Sequence, residues 1–252
     1  DDAERLLIDD FSITDYAGTS PTITVNTSSL SGFEYTVSHG PSDEQSFTVA
    51  GSNLTANISI TPPTNYEIST GTGGSFSAIN PITLTQSGGT VSSTPIYVRL
   101  KDGLAVGDYN SEDITATSTD ATDKTVTCNG SVTSPNVPGS FGSSTISSTQ
   151  IDLTFTTNSD GDNIIIIYDL DNTFTAPSGA APAVGAPFAG GEVVFKGTSS
   201  PVNHTGLSSG TQYYYKAYSY VGSDYSSGYN TNATTFLVQP TNHVTGFSVA
   251  LG

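Results

Sequence analysis

The chain has 252 residues, a formal net charge of −17, six basic side chains, one cysteine, and no tryptophan or methionine. So few Lys and Arg exclude a nucleic-acid partner held by phosphate neutralisation and disfavour anionic membrane surfaces. Ser and Thr number 74 and Gly 26, the composition of short strands and turns rather than of helices, while 35% hydrophobic residues with 13 Tyr and 11 Phe set the chain apart from a disordered one.

Leu6 to Thr14 alternates weakly through Ile8, Phe11 and Ile13 and has no local partner. It reads as a strand closing a preceding domain, so residues 1–18 are assigned to that domain. From Thr22 to Val132 strand signals recur every 8–12 residues or so, the spacing of a sandwich. The expected strands are Thr22–Val25, Phe33–Val37, Gln45–Ala50, Ile58–Thr61, Tyr66–Ser69, Ile82–Leu84, Thr94–Leu100, Tyr109–Thr117 and Thr125–Val132. Gly and Pro clusters separate them, at His39-Gly40-Pro41 and Thr61-Pro62-Pro63 among others. This defines a domain over 20–133. Ser134-Pro135-Asn136-Val137-Pro138-Gly139 is a stiff linker over 134–139. A second domain follows over 140–237, with strands at Ile151–Phe155, Asn163–Tyr168, Val193–Gly197, Tyr213–Tyr220 and Thr231–Phe236. Asn172 to Gly191, rich in Ala, Pro and Gly, reads as a long loop inserted between central strands. Residues 238–252 read as a linker and the start of a further module.

No apolar run is long enough to cross a bilayer as a helix. The lone Cys128 has no disulfide partner, and alternation puts it on the face of Val126, which predicts a buried core thiol. The absence of Met and the opening Asp1-Asp2-Ala3-Glu4 predict a piece of a longer, processed protein. Low Cys, abundant Thr, Asn and Gly, and the acidic excess fit a secreted or cell-surface bacterial protein.

Leu207-Ser208-Ser209-Gly210-Thr211-Gln212-Tyr213-Tyr214-Tyr215-Lys216-Ala217 resembles the E–F corner and F strand of fibronectin type III domains, with Ser209 in place of the usual Pro. The resemblance covers about 138–236. It implies that Leu207, Thr211 and Tyr213 build a tyrosine corner, that Phe155 replaces the core Trp, and that Tyr214, Lys216 and Tyr218 face outward. Residues 20–133 resemble the immunoglobulin-like repeats of secreted Bacteroidetes proteins exported by type IX secretion. Ser46-Phe47-Thr48-Val49-Ala50-Gly51, Asn65-Tyr66-Glu67-Ile68, Ile96-Tyr97-Val98-Arg99-Leu100 and Val106-Gly107-Asp108-Tyr109 carry that likeness.

The candidates for chemistry are few. His39, His204 and His243 are scattered along the chain and define no ligand spacing or triad. Gly71-Thr72-Gly73-Gly74 has no following helix to make it a phosphate cradle. Asn158, Asp160 and Asp162 alternate oxygen donors around Gly161 and form a calcium candidate, or simply an Asp-Gly turn. Asp169-Leu170-Asp171-Asn172 is a second such stretch. The carboxylate pairs Asp9–Asp10 and Glu112–Asp113 have no partner placed for acid–base work. Tyr214, Tyr218 and Tyr220 are the carbohydrate candidates, since outward rings stack on sugar faces; the competing reading is packing.

The expected molecule is all-β: two antiparallel β-sandwiches in tandem, immunoglobulin-like and then fibronectin type III-like. Its expected role is a non-catalytic spacer in a larger secreted or cell-surface protein, semi-rigid at its Pro-containing linkers. Its partners would be neighbouring domains of the same polypeptide, without nucleic acid, membrane insertion or any cofactor other than the calcium candidate. The alternatives are a carbohydrate-binding or adhesive module taking polysaccharide or cell-surface glycan, and a fragment of a secreted hydrolase or nuclease whose catalytic domain lies elsewhere.

Overall fold

A computed structural model of the chain describes residues 19–238. The terminal strand at Leu6–Thr14, Asp9–Asp10, His243 and nearly all of 238–252 lie outside the described residues. By spatial proximity the described residues form two compact units: one holds 19–31, Glu44–Arg99 and Ser111–Cys128, the other Gly32–Asp43, Leu100–Asn110 and 129–238. No helix of the described residues is long and apolar enough to cross a membrane.

Nine strands precede Ser134: β1 (Thr22–Val25), β2 (Ser29–Thr36), β3 (Gln45–Ser52), β4 (Ile58–Thr61), β5 (Tyr66–Ser69), β6 (Ile82–Leu84), β7 (Val91–Leu100), β8 (Gly107–Thr117) and β9 (Lys124–Thr133). They make two sheets, in the orders β1-β3-β7-β5 and β2-β9-β8-β4-β6. Alternation decides what each strand buries. Phe47 and Val49 of β3, Ile96, Val98 and Leu100 of β7, Ile114 and Ala116 of β8, and Val126, Cys128 and Val132 of β9 are all buried. Each large aliphatic or aromatic side chain among them contributes roughly 1.5–3 kcal/mol over exposure. Tight backbone bonds close the turns, as where His39 N–H donates to Thr36 O at 2.9 Å.

Nine more strands follow: β10 (Ser140–Thr145), β11 (Gln150–Thr156), β12 (Asn163–Asp169), β13 (Pro187–Phe188), β14 (Gly191–Gly197), β15 (Val202–Thr205), β16 (Gln212–Val221), β17 (Asp224–Tyr225) and β18 (Tyr229–Thr234). One sheet is β10-β11-β15; the other runs β13-β14-β12-β16-β17, with β18 also paired to β16. The core between them is Phe141, Ile151, Leu153, Phe155, Ile164, Ile166, Leu207, Tyr213, Tyr215 and Ala217. The larger sheet is covered on its other face as well. There Ile165, Ile167, Val193, Tyr218 and Tyr220 are buried beneath Phe174, Ala181, Phe188 and Ala189 of the insertion, with Tyr225 beside them. A strand apolar on both faces needs an unbroken apolar run, and Ile164-Ile165-Ile166-Ile167 supplies it, every residue fully buried.

The stretch between β12 and β14 is therefore a tied-down cover rather than a free loop. Thr175 N–H donates to Ala189 O at 2.9 Å and Gly185 N–H to Val193 O at 2.7 Å. Lys196 Nζ donates to Ala181 O at 2.7 Å and the Tyr225 hydroxyl to Gly179 O at 2.9 Å. Gly190 has φ +86°, and a Cβ there would strike the carbonyl of Thr173. Only glycine takes that conformation in that space.

Candidate functional site

The resemblance-derived residues occupy the second core and its rim. The Ser208 N–H donates to the Tyr213 hydroxyl at 2.9 Å, the bond of a tyrosine corner. Leu207 is buried, and its N–H donates to Thr149 O at 3.1 Å. Thr211 N–H donates to Thr235 Oγ1 at 3.0 Å. Phe155 packs on Phe195 with ring centroids 5.4 Å apart. Cys128 is completely buried, and burial pushes its thiol up to about 12, reinforced by the charges of Glu112 and Asp113.

The tyrosines proposed as a sugar platform are placed differently from the expectation of outward, open rings. Tyr218 is 1% exposed and Tyr220 9%, both under the insertion, while Tyr214 is half-buried. The Tyr218 hydroxyl donates to Thr175 O at 3.4 Å, and desolvation pushes its pKa up to about 12. Tyr220 stacks on Tyr225 at 5.7 Å. These rings face the outer side of the sheet, as the F-strand resemblance implies, and the insertion covers them. The signal for this was the four-isoleucine run, which marks a strand with two apolar faces.

An open cleft of about 800 Å³ remains at the edge of that cover. Phe174 and Tyr225 supply aromatic surface over the buried Tyr218, Lys216 and Asp224 opposite charges, and Ser223 and Ser227 hydroxyls. Lys216 Nζ lies 5.2 Å from the centre of the Tyr218 ring, a cation–π distance.

The Asn158–Asp162 turn is built by its own side chains. Asn158 Oδ1 accepts the Asp162 N–H at 3.0 Å, and Asn158 Nδ2 donates to Asp162 Oδ2 at 2.8 Å and to Asn136 O at 3.1 Å. Asn158 is thus an orienting residue for Asp162, its oxygen already taken by a backbone N–H. The third donor comes from His39, far away in the chain. His39 Nε2 lies 2.9 Å from Asp162 Oδ1, and donor atoms of His39, Asp160 and Asp162 all lie within 4.8 Å of one another. No spacing along the chain could have paired positions 39 and 162. A cleft of about 340 Å³ opens beside them, lined also by Ser38, Asn163 and Tyr220.

Five other carboxylates hold turns and strand edges. Glu44 accepts from Gly73 N–H at 3.0 Å and the Thr72 hydroxyl at 2.9 Å, so a protein carboxylate fills the glycine-rich turn. Glu112 accepts from Asn65 N–H and Nδ2 at 3.0 and 2.7 Å, and Asp113 from the Thr127 hydroxyl at 2.6 Å. Asp169 and Asp171 both accept from Thr173 N–H, at 3.1 and 3.0 Å. His204, by contrast, lies in an aromatic nest: Nδ1 is 3.0 Å from the Tyr215 hydroxyl, and the Tyr168 ring is 4.7 Å away. Burial lowers its pKa to about 4.

The strand orders and the Tyr213 corner define the class, an all-β protein of antiparallel β-sandwiches. No family model matches the chain, and no curated protein matches it. Among solved structures it is similar to fibronectin type III domains. The FN3tt domain shares 15% identity over 42% of this chain and 98% of that one, with a TM-score of 0.32. The chicken CNTN1 FN1–FN3 domains share 12% over 82% of this chain and 68% of that one, at 0.33. The two-domain fibronectin type III segment from chicken tenascin shares 16% over 78% and 97%, at 0.34.

Proposed function

We propose that this chain is a non-catalytic accessory region that spaces and presents neighbouring domains of a larger secreted or cell-surface protein. The observation that carries the reading is what its reactive side chains do. Glu44, Glu112, Asp169 and Asp171 accept from turn and edge donors, and the hydroxyls of Tyr213, Tyr218 and Tyr225 each bond to backbone. Groups committed in this way fix a fold; an acid–base pair needs a proton partner left for a substrate. The test is made in the full-length protein, by replacing residues 20–237 with two unrelated β-sandwiches of equal length. The neighbouring domains keep their activity and display. A tenfold or greater loss, with the replacement folded, overturns the proposal. A hydrolase or nuclease domain elsewhere in the polypeptide is compatible with this role.

The cleft bounded by Phe174, Tyr218 and Tyr225 favours a second reading, a carbohydrate-binding or adhesive module. Its ring surface next to Ser223, Ser227, Lys216 and Asp224 suits a polyhydroxylated ligand better than an apolar one. Glycan-array binding that disappears in Tyr225→Ala supports this reading; a blank array removes it and leaves the spacer.

A further inference from the structure

We propose that His39, Asp160 and Asp162 form a site for a divalent cation of the zinc class, independent of the presenting role. The Asp162 side chain is 4% exposed. Among the described residues, its one basic neighbour within ion-pair distance is His39. A buried carboxylate is costly unless a cation or several donors compensate it. Asn158 Nδ2 binds Oδ2, which leaves Oδ1 turned to His39. That division of labour resembles the way outer-shell amides hold a metal-ligating carboxylate.

The donor set also selects the type of ion. Two carboxylates and one imidazole nitrogen match borderline divalent metals, which accept mixed N/O ligands and leave a coordination position for water. Two donors each about 2.0–2.1 Å from one metal stand roughly 2.9–3.4 Å apart at angles between square and tetrahedral. The His39 Nε2–Asp162 Oδ1 separation of 2.9 Å lies at the short end of that range. The ion would take the place of the direct contact between the two atoms, and Asp160, exposed on the same turn, would close on it. The neighbouring cleft, about 340 Å³, leaves room for water ligands to complete the coordination. Calcium fits less well: it takes six to eight oxygens, and the Asn158 oxygen already accepts the Asp162 N–H. Occupied, the site would tie the turn after β2 to the turn between β11 and β12.

The test is calorimetric titration of the chelator-stripped, untagged chain with zinc chloride, and with cobalt(II) read by its visible absorption. One zinc ion per chain is expected. Affinity should fall at least about tenfold in His39→Ala and in Asp160→Asn. Both side chains lie at the surface, and far-UV circular dichroism checks that each variant is folded. Bound cobalt should show a visible band that His39→Ala abolishes, and calcium chloride should give no comparable heat. Absence of zinc binding, equal binding by His39→Ala, or a site that prefers calcium would each overturn the proposal.

Discussion

Ser219 lies fully buried between Tyr218 and Tyr220, and its hydroxyl has no hydrogen-bond partner. A desolvated, unpaired hydroxyl contributes nothing a methyl would not. Ser219→Ala should therefore be neutral or stabilise the chain by up to about 1 kcal/mol, measured by urea unfolding. Tyr213→Phe is the contrasting case. It leaves the Ser208 N–H unpartnered and should cost roughly 1–3 kcal/mol in the same assay. His204 gives the molecule an acid edge. In the unfolded chain its ring takes up a proton near pH 6.5, in the folded chain only near 4. Between those values the unfolded state binds the extra proton. The stability that comes from keeping the ring neutral is complete above about pH 6.5, falls as pH drops toward 4, and then levels off. Melting curves across that window should show the slope, and His204→Gln should flatten it relative to the parent. Cys128, buried and with its thiol pushed up to about 12, should resist thiol reagents until the chain is unfolded.

At the scale of elements, the insertion between β12 and β14 is the part most exposed to test. Gly190→Ala forces a side chain into a left-handed backbone position and against the Thr173 carbonyl. Backbone strain of this kind costs roughly 1–3 kcal/mol, and it falls on the cover rather than on the sheet. Limited proteolysis should cut within 172–190 in the variant, while the fragments stay associated. The strands themselves were largely legible in the sequence. Alternation located β3, β7, β8 and β9 to within three residues, because each is apolar on one face only. The short β13, β15 and β17 carry too few apolar residues to signal themselves, and β15 is read only once its partner β11 is in place. Covering of the outer tyrosines was legible only through Ile164–Ile167. Residue type alone does not tell a ring aimed at solvent from one aimed at a cover.

Over the whole molecule, composition foretold the all-β class, because turn-formers and β-branched residues leave helices without support. It could not foretell which polar groups converge. Asn158, Asp160 and Asp162 stand out as a local pattern, and the turn they form was readable from Asp160-Gly161. His39 joins them only through the three-dimensional path of the chain, so the mixed donor set is a property of the fold.

The stacked and edge-on rings of Tyr218, Tyr220 and Tyr225 have a practical corollary. With no indole in the chain, its near-ultraviolet dichroism comes chiefly from phenol rings, and this packed trio sits in an asymmetric setting created by the insertion. Lifting the cover should bleach that signal while the peptide bands stay intact, which makes the molecule its own spectroscopic gauge of whether the flap is seated.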